Sequence, residues 1–146
     1  AIVRVSDDGR EATFDPKEFI QFPGGATKFT IRHDPKTNLY WTLSNFTPEH
    51  HRDTRAASTR NTLALASSPD LRNWTVRSVV LYHPDVTHHA FQYVDWLFEG
   101  DDLIVASRTA FDDGLGGAHR AHDANFLTFH RIKNFRDLKM ADSPVK

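Results

Sequence analysis

The chain has 146 residues, no cysteine and a formal net charge of -1, enough for one domain with a real core and too short for two large ones. A disulfide scaffold and a thiolate metal site are thereby excluded, and no global field draws the chain toward nucleic acid or a membrane surface. No apolar run approaches the ~20 residues of a membrane span, while eleven Phe, three Trp and three Tyr suit pleated sheets better than helices.

The opening Ala-Ile-Val-Arg has neither an initiator Met nor the apolar stretch of a signal peptide, so the chain is expected to be cut from something longer. Residues 1–20 are expected to supply the outer strand of a preceding unit. A strand predicted over 28–33 meets Asp34-Pro35-Lys36-Thr37-Asn38, where Pro35 presets φ for a turn and Asn38 tolerates the left-handed conformation. The strand 39–45 follows, completing a hairpin. A polar loop over 46–61 leads to a strand at 62–67, a turn at 68–73 and a strand at 75–82. The pattern then restarts. A strand at 91–98 meets Glu99-Gly100-Asp101-Asp102, and a strand at 103–109, a polar loop at 110–125, a strand at 126–131 and a turn at 132–137 follow. A fourth strand is clear only in the first unit.

These elements repeat every 64 residues: Ala26 falls on Ala90, Phe29 on Tyr93, Leu39 on Leu103, Ala57 on Ala121, Asn61 on Asn125, Leu63 on Leu127 and Arg72 on Arg136. Four strands per period with short turns is the pattern of a β-propeller blade. The fold class expected is therefore all-β, a propeller fragment of about two four-stranded antiparallel blades. Residues 1–20 would close a preceding blade, 21–82 form the first blade and 83–146 the second. A β-sandwich of about eight strands is the alternative, and the matched long loops argue against it. Strand 91–98 is apolar on both sides, so something must cover both faces; missing blades or copies of the chain are the expected partners.

In a four-stranded blade the loops 22–27, 46–61, 83–90 and 110–125 emerge on one face. They carry every histidine except His33 and His130. This polarisation places candidate chemistry at the mouth of the channel. His88 and His89 precede an innermost strand, where an imidazole can exchange a proton near neutral pH. Arg108 offers a planar fork for a carboxylate, or a tie to Asp95 or Asp112. Asp112 could act as acid or base. The expected catalytic set is thus His88, His89, Arg108 and Asp112. The expected substrate-binding set is His51, Gln92, Phe111, His119, His122, Asp123 and Asn125, with Phe111 as a stacking platform. His119, His122 and Asp123 also invite a metal reading, but without the geometry of a recognised motif; neither a metal nor a cofactor is expected.

The stretch Ala66-Ser67-Ser68-Pro69-Asp70-Leu71-Arg72-Asn73-Trp74 resembles the S-x-D-L-x-x-W turn of five-bladed propeller glycoside hydrolases. It is also similar to the Asp-box of sialidases, although that motif's glycine and Thr-Trp ending are missing. Residues 88–136, above all His88-His89-Ala90-Phe91-Gln92-Tyr93-Val94-Asp95-Trp96 and His119-Arg120-Ala121-His122-Asp123-Ala124-Asn125-Phe126, resemble the C-terminal region of bacterial sialidase-like proteins. The resemblance implies a glycoside hydrolase acting on acidic oligosaccharides or polysaccharides, exported to the periplasm or cell exterior. Two other readings stand beside it: a lectin-like or purely structural fragment, and a lyase using His as base with Arg neutralising a uronate. Asp70 and Trp74 read as scaffold, Asp70 accepting from its own turn and Trp74 anchoring the next strand.

Overall fold

A computed structural model of the chain describes residues 1–24 and 27–145. Gly25, Ala26 and Lys146 lie outside the described residues, and with them the match of Ala26 to Ala90. Every regular element is a β-strand or a single turn of 3₁₀ helix, so the chain is all-β.

Strands β1 (Val3–Val5) and β2 (Ala12–Phe14) pair as an exposed hairpin of their own. Residues 1–20, expected as an outer strand, join no other sheet. Their tie to the remainder is Glu18, which takes hydrogen bonds from both Arg4 and Arg72. Strands β3 (Thr30–Asp34), β4 (Leu39–Asn45), β5 (Thr62–Ser68) and β6 (Thr75–Tyr82) form an antiparallel meander in sequence order. Strands β7 (Ala90–Glu99), β8 (Asp102–Ala110) and β9 (Phe126–Ile132) form a second one.

The second sheet thus has three strands among the described residues, where four were expected. Beyond Ile132 the backbone turns away at Asn134, which is left-handed at φ 47, and runs through 3₁₀ turns at Phe135–Asp137 and Met140–Asp142. Ser143 Oγ then accepts from the backbone N–H of Val79 at 2.9 Å. The C-terminal segment therefore lies on β6 of the first sheet and leaves the edge of β9 bare.

The two sheets stack with equivalent strands in contact. Arg32 Nε donates to the carbonyl of Trp96 at 2.7 Å, across 64 positions. The Trp96 indole N–H returns to the carbonyl of Thr30 at 3.3 Å, and Lys36 reaches Asp101 at 2.9 Å. Register places Arg32 opposite Trp41, Thr30 opposite Leu43 and Leu43 opposite Leu65 on one face of the first sheet. Trp96 opposite Val105 and Phe98 opposite Leu103 form the face that meets it. Phe135 closes the core edge-on against Trp41, with ring centres 4.9 Å apart. At the outer end β6 and β9 diverge around an apolar cavity of about 650 Å³ lined by Leu81, Phe91, Phe126 and His130.

One ion pair clamps the stack. The buried Asp34 carboxylate accepts both Nε and Nη2 of Arg136, at 2.8 and 3.0 Å, and also the Thr37 hydroxyl. The Arg136 guanidinium, which lies over the Phe135 ring, holds the Asp34 pKa well below the usual carboxylate range against the opposing effect of burial. In the turn after β5, Asp70 accepts the backbone N–H groups of Asn73 and Arg72, which lower its pKa to about 2. The Trp74 indole N–H donates to the carbonyl of Leu71.

Candidate functional site

Of the loops expected at one end, 46–61, 83–90 and 110–125 meet there; 22–27 includes Gly25 and Ala26, outside the described residues, and its Phe22 packs on Trp74. Buried Asn61 donates to the carbonyl of His83 at 2.6 Å and lies 3.2 Å from His51 Nε2. The N–H of Phe91 donates to the carbonyl of Arg60 at 2.9 Å, and that of Ala121 to Thr87 at 2.6 Å. The segments around 50, 88 and 120 are thus stitched together, the last two by a backbone bond, and two cavities lie among them.

The smaller cavity, about 220 Å³, is lined by Asp85, His88, His89, Asp112 and the backbone of Gly116–Ala118. Asp85 organises it. Its carboxylate accepts the N–H groups of Thr87 and His88 and faces Nδ1 of both His88 (2.9 Å) and His89 (3.2 Å). Burial alone would raise the Asp85 pKa, but these hydrogen bonds outweigh it and hold the group well below the usual range. An ionised carboxylate only accepts, so each facing Nδ1 carries the proton. The nitrogen of His89 left free of Asp85 is therefore Nε2. It is buried, has no hydrogen-bond partner among the described residues, and lies 3.5 Å from Asp112 Oδ2. The ring is fixed on both sides: His83 stacks on it at 3.5 Å and Phe111 meets it edge-on at 4.8 Å.

A second cluster surrounds Tyr93 on β7. The strand bulges between Gln92 and Asp95, and Tyr93 sits in the left-handed region at φ 50. That conformation is costly for a bulky residue and points to function when the surroundings impose it. Three cations flank the ring: Lys28 Nζ at 5.3 Å, Arg60 at 5.3 Å and Arg108 at 5.4 Å. None has a carboxylate partner among the described residues. Arg60 is held by the carbonyl of Ala57, by Gln92 Oε1 and by the Tyr93 hydroxyl; Arg108 is held by the carbonyl of His122 at 2.8 Å. Neither of the alternative ties for Arg108 forms, since Asp95 pairs with Arg32 and Asp112 faces His89.

Of the expected catalytic set, His88, His89 and Asp112 therefore share one cavity, and Arg108 belongs to the Tyr93 cluster. The substrate-binding set divides further. Phe111 packs on His83 and His89 while remaining partly exposed. His122 is exposed, lines the larger cavity and pairs with Asp123, which also holds Arg120. His119 is exposed and lines neither cavity.

Three residues of the expected substrate-binding set are engaged within the protein. Gln92 is fully buried, and its amide is spent on the carbonyls of Ala121 and His122 and on Arg60. Asn125 closes its own loop through the N–H and C=O of Phe111 and the carboxylate of Asp113. His51 is only partly exposed beside Asn61, its pKa lowered by burial and then by His50. These three position the rim. No group of three or more His, Asp or Glu side chains among the described residues is arranged to hold a metal ion.

Sequence reasoning missed Asp85, Tyr93, Arg60 and Lys28. Asp85 carried a usable signal, because an Asp followed by Thr87 and His88 can cap its own turn. Tyr93 carried none, since the bulge that strains it arises from pairing with β8. No protein-family model, no curated protein and no solved structure matches this chain.

Proposed function

We propose that this chain forms two neighbouring propeller modules of an exported carbohydrate-active enzyme that acts on acidic glycans. The architecture rests on like-on-like stacking one repeat apart. The activity rests on a single observation: His89 Nε2 is buried and unpartnered beside Asp112, with Nδ1 fixed by ionised Asp85. A carboxylate–imidazole pair of this kind transfers a proton at the free nitrogen. Among the described residues the cations around Tyr93 lack a counter-ion, and a sugar carboxylate supplies one, with the Arg108 fork and the aromatic face defining where it lies.

Hydrolysis of the sialidase type is the first reading, with Asp112 and His89 as the proton-transfer groups and Tyr93 beside the acidic group. One observation favours β-elimination as the second reading. His89 is poised as a base, and the cation cluster could neutralise a uronate carboxylate and acidify the adjacent C–H. Incubation with sialylated and uronate-containing oligosaccharides separates them. Hydrolysis releases a saturated sugar; elimination produces an unsaturated uronate, visible by its ultraviolet absorbance. Turnover of acidic but not neutral glycans, weakened at low substrate concentration in Arg108→Ala, supports the proposal. Equal turnover of neutral glycans, or full activity in Arg108→Ala, rejects it.

A further inference from the structure

The larger rim cavity, about 470 Å³, is lined in part by Thr87 and Ala121, which a backbone bond joins. Arg55, Arg60 and Arg120 line it with Ser58, Thr87 and His122, and no carboxylate does. The Arg55 side chain makes no hydrogen bond or ion pair among the described residues. Arg120 meets only Asp123, at 3.1 Å on a largely exposed side chain. Arg60 is the hinge between sites. It is half-buried, anchored through Nε and Nη1, and stands over Tyr93 while it lines this cavity. One guanidinium thus joins this cavity to the cation cluster at Tyr93, and among the described residues only Arg120 of these cations faces a carboxylate.

We infer that this cavity binds a second oxyanion, a carboxylate or sulfate ester on a sugar unit next to the one held at Tyr93. The inference rests on the acidic-glycan reading and narrows it: the ligand is a polymer with acidic groups on successive units, not a glycan with one terminal acid. A lone acid needs one cationic cluster. A repeating polyanion needs two in register, which a shared arginine provides. The hydroxyls of Ser58 and Thr87 are suited to complete an oxyanion's hydrogen bonds once Arg55 and Arg120 meet its charge.

Calorimetry on the intact chain, at one fixed salt concentration, tests this with three probes: tetragalacturonate, a heparin-derived tetrasaccharide and sialyllactose. Arg55→Ala is expected to weaken a repeating polyanion about tenfold, the loss of one charged hydrogen-bonding contact, and to leave sialyllactose unchanged. Preference for tetragalacturonate identifies the second group as carboxylate, and preference for the heparin fragment identifies it as sulfate. Arg52→Ala is the control, since Arg52 is exposed, paired with Glu49 and outside the cavity. Equal losses from Arg52→Ala and Arg55→Ala overturn the site in favour of a diffuse field, and so does a loss in Arg55→Ala that is the same for all three probes. If Arg108→Ala changes nothing while Arg55→Ala still weakens the polyanions, the Tyr93 reading fails and the cavity stands.

Discussion

The two sheets are built from the same repeat yet meet opposite fates. In the first sheet Trp41, Leu43, Leu63 and Leu65 are all buried under the second. On the second sheet the far face aligns Leu97 with Ile104 and Arg131, Ala106 with Phe129, and Arg108 with Leu127. There Leu97 is 60%, Leu127 67% and Phe129 72% exposed. The difference is one of position and not of composition. An apolar strand face becomes core only when another layer lies on it, which is why sheets stack.

The largest expected effect breaks the clamp between the sheets. Arg136→Ala leaves the Asp34 carboxylate buried without its counter-ion and is expected to cost about 3 kcal/mol or more in urea unfolding. The paired faces come next: Leu65→Ala should cost about 3 kcal/mol, whereas Phe129→Ala should stay within about 0.5 kcal/mol. A large loss in Phe129→Ala would mean that the far face is already covered in solution. Acid sharpens the comparison. The Asp34 pKa is depressed by folding, so its contribution is fully present above the ordinary carboxylate pKa of about 4 and is lost as pH falls below it. Thermal melts should therefore fall steeply from pH 4 downward, and Arg136→Ala should flatten that limb. A small effect is also expected of Tyr93→Phe, which removes one hydroxyl contact to Arg60 and should change stability by about 1 kcal/mol or less.

Much of this architecture was legible because β-strands announce themselves by alternation and by the turns that bound them. Strands 39–45 and 75–82 match β4 and β6 at both ends. Pro35 and Asn38 marked a real turn, in which Asn38 is left-handed at φ 56. The second unit's fourth strand was already indistinct in the sequence, but the course its segment takes instead was not legible, because Ser143 finds Val79 across a long sequence separation. The site was half legible. Polar residues gathered in the long loops signalled a polar rim, and three of those loops do meet. Whether an amide such as Gln92 or Asn125 faces solvent or ties two backbones together is decided by tertiary contacts that no local pattern encodes.

The account's central claim is a division of labour at the rim, with His89 moving a proton and Arg108 holding the acid. Steady-state kinetics on an acidic oligosaccharide for wild type, His89→Gln and Arg108→Ala tests it directly, with thermal melts to verify folding. The account predicts that His89→Gln loses at least about a hundredfold in kcat with KM little changed, while Arg108→Ala raises KM. A folded His89→Gln variant that turns over at the wild-type rate would contradict it.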